Sequence, residues 1–457
     1  MSGQTIAVFG GSFNPPCRHH LAVVEQLCER FDRVVVLPCG PRPDKPITDD
    51  VEPVYRATMV DMVFQGLGRV EVDLSDLEAS TFTRTWDLQE RFSSEGEVYH
   101  VVGTDLVQGG KTGQSVIHRE WYRGEELWAG CRFAVVDRPG FEIDPDDLPP
   151  LHVRIPACAA GSSSAVREAV FQRRDVSTQL VARVLDYIQR HNLYRGTHAS
   201  RSTRLELADI RCRLHYDPWN DKARELAAGT EESPDPNLIL VFGGDGTMLR
   251  AIRSHWRNRL PFFGVNSGHL GFLLNQQHPS GYLGQQVACE HLPLLWVECE
   301  ADTGERSQAL AFNDAWVERA TGQTAWIRVE VDGQIRLERL ISDGALVSTA
   351  AGSTSYARAM GASPMPLNTP ALLLVGSNVL QPAFWRPAVL PDSASIALTT
   401  LDPDKRPLRA YIDGVDQGLV RSLRARVSRI ASVELAFDPH RDPAEKLARI
   451  QFPLREE

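Results

Sequence analysis

The spacing of hydrophobic positions changes character along this chain. In the first two hundred residues, short continuous apolar runs alternate with stretches whose apolar residues recur every three or four positions. Thr5–Phe9, Val34–Leu37, Val98–Val102 and Phe133–Val136 are such runs. They predict strands buried on both faces of a parallel sheet. After the first of them, Leu21, Val24, Leu27, Cys28 and Phe31 mark one face of a helix. Strands alternating with helices predict a doubly wound parallel sheet, with its ligand site at the carboxyl ends of the strands.

The pattern resumes after a polar interruption, Arg195–Arg204, where a domain boundary is expected. Arg211–Tyr216 is read as a strand and Asp221–Ala228 as a helix. Gly229–Asn237 is read as a loop before the apolar run that starts at Leu238. That run ends at Gly243-Gly244-Asp245-Gly246-Thr247, and a helical pattern continues to Ile252. Phe262–Val265 is a further buried run. Beyond about residue 295 the rhythm shifts to alternation: Ala325–Val331 leads into Asp332-Gly333, a hairpin signal. Leu346–Ser348, Leu372–Val375, Ser395–Leu398 and Arg409–Ile412 follow as short strands. The expectation is α/β overall: residues 1–196 with a parallel sheet, then 197–457 with an α/β lobe over about 200–295 and an antiparallel β-sandwich lobe over about 296–457.

Composition narrows the function classes. The chain has 457 residues, is 42% hydrophobic and 24% charged, and carries a net charge of −10 with a pI near 5.8. This argues against nucleic acid or an anionic membrane as a bulk partner, so any anionic substrate must be held by local groups. The eight cysteines are scattered, without CxxC or zinc-finger spacing. With no leader pattern and no apolar run near the ~20 residues of a bilayer span, a soluble cytoplasmic protein is expected.

Two stretches of the first half would meet at the strand ends. One is Gly10-Gly11-Ser12-Phe13-Asn14-Pro15-Pro16-Cys17-Arg18-His19-His20; the other is Gly161-Ser162-Ser163-Ser164-Ala165-Val166-Arg167. Serine hydroxyls, helix-start amides and an arginine suit a phosphate cradle, with His19 and His20 as further donors. A proline-bearing loop and a serine N-cap account for the same residues without a ligand.

Taken together, these stretches resemble the nucleotidyltransferases that adenylylate nicotinate mononucleotide. His20 matches the second histidine of that family's HxGH motif, Ser162–Arg167 its SSTxxR motif, and Pro43-Asp44-Lys45 its PHK loop. Gly103-Thr104-Asp105, Trp121 through Leu127, Arg138-Pro139-Gly140 and the helix Leu185–Tyr194 fall where the family has similar residues. The resemblance implies attack of the mononucleotide's phosphate on the α-phosphate of ATP. His20 is the catalytic residue it implies, while Gly10, Ser12, His19, Lys45, Ser162, Ser163 and Arg167 hold phosphates. His20, Lys45 and Arg167 would neutralise developing charge, and Mg²⁺ would ride on the phosphates. Three positions depart from the family: Cys17 replaces its first histidine, His19 its glycine and Asp44 another histidine. Loss of one charged donor is worth about 1.5–3 kcal/mol.

In the second half, Gly243, Gly244 and Gly246 can take positive φ, and they leave room for phosphates beside the backbone. The amides of the next helix favour anions, and Asp245 is a lone acid in their midst. A strand-to-helix turn with an aspartate cap is the plainer alternative. Asn313-Asp314 pairs an amide with a carboxylate, and Ser348–Tyr356 is a hydroxyl-rich loop broken by Gly352. In order, these segments resemble NAD kinase: Gly243–Thr247 its GGDGT motif, Asn266–Leu273 its NxGxLGFL segment, Asn313-Asp314 its Asn-Glu pair, Gly352–Tyr356 its GSTAY loop, and Tyr411–Gly414 a later β-segment. The resemblance implies transfer of the γ-phosphoryl group of ATP to the adenosine-side 2′-hydroxyl of NAD. Asp245 would be the general base, Gly243 and Gly244 phosphate holders, and Gly246, Thr247, Asn313, Asp314, Thr354, Tyr356 and Asp413 NAD contacts, with Asp343 a weaker candidate. Asp314 is one methylene shorter than the family's glutamate, and Ala351 lacks a hydroxyl found there.

The combined expectation is a bifunctional enzyme of NAD and NADP synthesis, using ATP and Mg²⁺ (or another divalent cation) on a pyridine mononucleotide and on NAD. No residue is assigned as a metal ligand. Homo-oligomerisation is expected, and nucleic acid and membrane are not expected as partners. The alternatives are a kinase whose first half is a degenerate nucleotide-sensing or oligomerisation domain, and a lipid or sugar kinase.

Overall fold

Parallel pairing organises the first unit. In the computed structural model, strand β1 (Thr5–Gly11) lies between β2 (Arg33–Pro38) and β4 (Glu97–Gly103), parallel to both. The order of the six-stranded sheet is β3-β2-β1-β4-β5-β6, with β3 at Val70–Val72, β5 at Arg132–Val136 and β6 at His152–Ile155. The chain reverses direction across the sheet between β1 and β4, and ligands bind outside the carboxyl ends of such a switch point. The structure describes residues 3–42, 51–138, 142–156, 161–268 and 271–452, with the backbone alone at 443, 444, 449 and 450.

Helix α1 (Arg18–Arg30) starts one turn before the first expected apolar position and buries Val23, Val24 and Leu27. Helix α2 (Pro53–Phe64) is almost wholly buried. Helices α3 (Ser163–Phe171) and α4 (Ala182–Arg190) complete the parts that position the site.

The chain divides into two compact units, Met1–Ser200 and Arg201–Glu457. In the second, β8 (Cys212–Tyr216), β9 (Leu238–Gly243) and β10 (Phe262–Asn266) are parallel neighbours. Helix α5 (Asp221–Ala228) joins β8 to β9, and α6 (Asp245–His255) joins β9 to β10. Every residue of β9 is buried, which is why Leu-Ile-Leu-Val-Phe reads as unbroken apolar sequence.

The antiparallel part follows the expected alternation. Strands β14 (Ala325–Val331) and β15 (Gln334–Ser342) form a hairpin with Asp332 and Gly333 both at positive φ. Strands β13 (Asp314–Arg319), β16 (Gly344–Thr349), β17 (Ala371–Ser377), β18 (Ala388–Pro391), β20 (Leu408–Ile412) and β21 (Val415–Val420) make one sheet, ordered β18-β17-β16-β13-β20-β21. Its inner face meets residues of β14, β15 and β19 (Ile396–Thr400) in a single apolar core that includes Ile327, Leu340, Val347, Leu374 and Leu398.

The lobe border near residue 295 falls inside a strand. Strand β11 (Gln286–Glu300) pairs with β22 (Ser422–Phe437) along almost its whole length, with a register shift between Pro293 and Leu295. Before the shift β11 also pairs with β7 (Ser202–Glu206); after it, with β12 (Arg306–Ala311). Strand β22 in turn contacts β10 in parallel and β19 antiparallel, so one ten-stranded mixed sheet spans both lobes.

Asn275 ties this sheet together at the edge of the α/β part. Its Nδ2 donates to the carbonyls of Gly264 and Ala436, both at 3.1 Å, and its Oδ1 accepts from the Asp438 amide at 2.8 Å. Among the described residues no helix is long and apolar enough to cross a membrane. We predict that Asn275→Ala, which strands buried backbone groups worth ~1–3 kcal/mol each, lowers the melting temperature of the second unit's transition by several degrees. Differential scanning calorimetry of the full chain reads this directly.

Candidate active sites

In the first unit, the carboxyl end of β1, the loop into α1 and the start of α3 converge. Gly10 has no heavy atom within 4 Å of where a Cβ would stand, so the strand end is open. The loop is held from behind: Arg56 of α2 donates to the carbonyls of Ser12 (2.6 Å) and Cys39 (2.9 Å). Arg167 donates to Asn14 O at 2.7 Å and to Ser164 Oγ at 3.3 Å, and Tyr194 OH donates to Asn14 Oδ1 at 2.5 Å. Ser162 caps α3 by accepting from the Ala165 amide at 3.4 Å, and Ser163 Oγ donates to Pro15 O at 2.9 Å. The two predicted motifs therefore meet, and part of their polar capacity is spent in joining each other. Lys45, Asp44, Pro139 and Gly140 lie outside the described residues.

The electrostatics of this cradle differ from the expectation for His20. Its Nδ1 accepts from the Cys17 amide at 3.0 Å, which leaves Nε2 to carry the proton of the neutral ring. The ring packs edge-on to Phe13, with centroids 5.1 Å apart, and lies 3.9 Å from that of His19. Burial first, then His19 and Arg138, pull its pKa down to about 3. His20 is thus a neutral donor near pH 7; the positive charge comes from Arg167 and Arg138. Cys17 is buried, its thiol faces Pro15 O at 3.4 Å, and burial pushes its pKa up to about 11.

The ligand atoms of Cys17, His19 and His20 lie within 4.8 Å of one another. Two nearby arginines and a helix start suit an anion there, and work against a cation.

His19 occupies space that only glycine leaves free. A Cβ on Gly161 would stand 2.1 Å from His19 Nδ1. The ring therefore packs directly against the lead-in to α3, and its pKa is lowered by burial and then by Arg138.

In the second unit, Asp245 is the first residue of α6, with Gly244 as the N-cap. Its Oδ2 accepts from the Phe272 amide at 2.9 Å and its Oδ1 from the Leu273 amide at 3.0 Å. Burial raises its pKa; the two amides and Lys446 pull the other way. The glycines act by absence of a side chain: none of Gly243, Gly244 and Gly246 has φ above zero, and Gly244 sits at −113°. A Cβ on Gly243 would stand 2.4 Å from Thr247 Oγ1, whereas Gly244 borders open space and a Cβ on Gly246 would meet only Arg250 Nη1, at 4.0 Å. Thr247 is buried, and its hydroxyl accepts from Arg250 at 3.1 Å and lies 3.5 Å from Asp217.

A second corner forms where β13 begins. Asp413, at φ 45° in the β20–β21 turn, accepts from the amides of Phe312 (2.7 Å), Asn313 (2.8 Å) and Asp314 (3.1 Å). Its carboxylate shapes the corner: Oδ1 takes the amides of Asn313 and Asp314 and Oδ2 that of Phe312. Asn313 is buried and its Oδ1 has no hydrogen-bond partner among the described residues. Asp314 is 3% exposed; burial and the neighbouring Asp413 push its pKa up to about 7. Arg253 of α6 donates to Asp413 O at 3.3 Å, linking the Asp245 helix to this corner.

Tyr356 is exposed and stands edge-on to Trp316, which in turn stacks on Tyr411, both pairs with centroids 5.0 Å apart. Thr354 Oγ1 turns inward to Ala351 O at 3.4 Å, and Asp343 is paired with Arg319 at 2.6 Å. Gly352 is required by contact: a Cβ there would lie 2.3 Å from Asn313 O. Sequence reasoning missed Trp316, Asp217 and the carboxyl-terminal groups Arg441 and Lys446. Their residue types carry no motif, and a lysine in a terminal amphipathic stretch reads as a solvated face.

In the second unit a buried strand thus delivers an acid to a helix start, and Arg253 ties that helix to the corner that holds Asn313 and Asp314. A family model described as ATP-NAD kinase N-terminal domain matches residues 152–282, and one described as Cytidylyltransferase-like matches residues 8–169. The NAD kinase of Zymomonas mobilis is 34% identical over 224 residues, covering 48% of this chain and 87% of that protein. The NAD kinase of Rickettsia bellii is 34% identical over 220 residues, covering 48% and 86%. The crystal structure of yeast NADH kinase complexed with NADH aligns at 16% identity and a TM-score of 0.48, over 56% of this chain and 92% of that one. The chain belongs to the NAD kinase family, and it carries a cytidylyltransferase-like nucleotidyltransferase domain ahead of the kinase part.

The contact at Gly161 generates a prediction. Gly161→Ala must displace the His19 ring. Carbethoxylation of His19, followed by mass spectrometry, should then run several-fold faster than in the parent protein, while His20 under Phe13 keeps its slow rate.

Proposed function

We propose that the chain is a bifunctional enzyme: one site adenylylates a pyridine mononucleotide with ATP, and the other phosphorylates NAD to NADP. The observation that carries the kinase reading is the seating of Asp245. Each carboxylate oxygen accepts one backbone amide and keeps a second lone pair for a substrate hydroxyl. Burial makes it a stronger base than an exposed aspartate.

The 2′-oxygen of the adenosine ribose attacks the γ-phosphorus of ATP, Asp245 takes the hydroxyl proton, and ADP leaves. The open side of Gly244 and Gly246 leaves room for phosphate, and Gly243 packs the turn. Asn313 Oδ1 suits the amino group of adenine, which would satisfy a buried acceptor at a cost otherwise of ~1–3 kcal/mol. Asp314 suits a ribose hydroxyl, Tyr356 with Trp316 offers an aromatic wall, and Thr247 and Asp413 support the two ends. Hard oxygen donors suit Mg²⁺, and the described residues converge no set of free carboxylates. ATP's own phosphates would therefore hold the cation, which supplies charge neutralisation.

In the first unit the neutral Nε2–H of His20, the start of α3 and Arg167 would cradle the phosphates of ATP while the mononucleotide's phosphate displaces pyrophosphate. Ser12, His19, Ser162, Ser163 and Lys45 complete the binding set. A second reading keeps the domain as a nucleotide-binding regulator, and the uncharged, buried thiol of Cys17 favours it. We place the enzyme in the cytoplasm as a homo-oligomer. Leu380, Phe384 and Val389 are exposed on and before the edge strand β18, and Phe384 is 100% exposed.

Three outcomes are expected with the full chain. Asp245→Asn should cut NADP formation by roughly 10²–10⁴-fold, the usual weight of a general base, while pyrophosphate release with ATP and nicotinate or nicotinamide mononucleotide persists. His20→Ala should do the reverse. No pyrophosphate release by the parent protein, with ATP still bound, would leave the regulatory reading. Sedimentation velocity should show that Phe384→Asp weakens self-association.

A further inference from the structure

We propose that Lys446, on the terminal helix α7 (Pro443–Gln451), is a positioning residue for Asp245, acting through the peptide group that joins Gly271 to Phe272. Lys446 Nζ donates to Gly271 O at 3.3 Å and to Leu274 O at 2.9 Å. The amide of that same Gly271–Phe272 peptide donates to Asp245 Oδ2 at 2.9 Å, and the next amide, of Leu273, donates to Oδ1 at 3.0 Å. One planar group therefore has an ammonium on its oxygen and a carboxylate on its hydrogen.

The ammonium draws density from the carbonyl and makes the N–H a better donor, as in any polarised hydrogen-bond chain. Gripping the first and last carbonyls of residues 271–274 also fixes the plane in which the two inner amides point at the acid. Asp245 is thus oriented from a distance of some two hundred residues in sequence, by a group that does not touch its oxygens.

The surroundings agree with this role. Arg441 Nη2 donates to Phe272 O at 3.4 Å, with its guanidinium 3.5 Å from the Phe437 ring centroid. Asp438, at the end of β22, accepts from Tyr282 OH at 2.6 Å and faces the same amine. Burial and Arg441 pull Lys446 down to about 8, against Asp245 and Asp438, so the amine is mainly charged at pH 7. Its charge opposes the burial that raises Asp245. Removing it lets the acid's pKa climb further, and the acid limb of turnover moves to higher pH because the protonated carboxyl cannot accept the ribose proton.

This inference rests on the kinase reading of Asp245, and two readouts separate the failures. Steady-state NADP formation across pH is measured for the parent chain, Lys446→Gln, Lys446→Arg, Asp245→Asn and the Asp245→Asn/Lys446→Gln double variant. Hydrogen exchange of the peptide spanning residues 271–275 is followed in parallel. Lys446→Gln is expected to lower kcat roughly 10- to 100-fold, the scale of a misplaced catalytic group. The KM for NAD should stay within about twofold, the acid limb should shift upward, and the 271–275 amides should exchange faster. Lys446→Arg should restore most of the rate, and the double variant should be no slower than Asp245→Asn alone. Parent-like kcat, pH limb and exchange in Lys446→Gln would overturn the proposal while leaving the base assignment intact. Normal turnover by Asp245→Asn would remove the base assignment; faster exchange in Lys446→Gln would then still establish the grip on the loop, and unchanged exchange would end both.

Discussion

The kinase unit depends on buried carboxylates that are bound by backbone amides and not by cations. Asp413 gathers three amides at the start of β13, and Asp245 gathers two from the 271–274 turn. Taking an ionised carboxylate out of water is costly, and accepting several N–H groups is among the few ways to offset it without a partner ion. The reward is geometric. A carboxylate fixed by amides inherits the rigidity of the backbone, so the Asn313–Asp314 corner and the acid at the start of α6 are both set by main-chain positions. The balance is visible in the shifts: Asp413 and Asp245 remain raised by burial even with their amides, and Asp314, whose carboxyl lies beside Asp413, is raised to about 7.

The first unit solves the opposite problem, how to keep a site attractive to anions while its titratable groups are buried. Burial lowers the pKa of both histidines and takes the charge from His20, and Cys17 stays a thiol. What remains is a set of neutral donors at two helix starts, with arginines supplying the charge. The substitution of cysteine at 17 and histidine at 19 is accommodated as a pair of local changes: Cys17 caps α1 from a buried position, and His19 fits only because residue 161 lacks a side chain.

Much of this was legible in the linear pattern, for identifiable reasons. Strand β9 is buried on all sides, and unbroken apolar sequence is what such burial demands. The β14–β15 hairpin was written in Asp332-Gly333, two residues that tolerate positive φ. Asp221–Ala228 is the helix expected there, and Asn220 caps it, accepting from the Ala223 amide at 2.9 Å. The parts that could not be read are those where one residue works for another far away in sequence. The three amides that Asp413 gathers give no sign in the sequence. The glycines of residues 243–246 look like positive-φ hinges, yet Gly243 is there for Thr247. Asn275 and Lys446 belong to no motif, because their partners are carbonyls, which leave no trace in side-chain identity.

The two longest strands carry a mechanical consequence. Strands β11 and β22 run as a paired girder through the α/β lobe and into the sandwich, bending at the register shift beside Pro293. A jaw-like opening between these lobes would have to tear a continuous ladder of backbone bonds. Any relative movement of the two lobes must therefore be taken up by bending of this ladder or by the short connections at the sheet's rim.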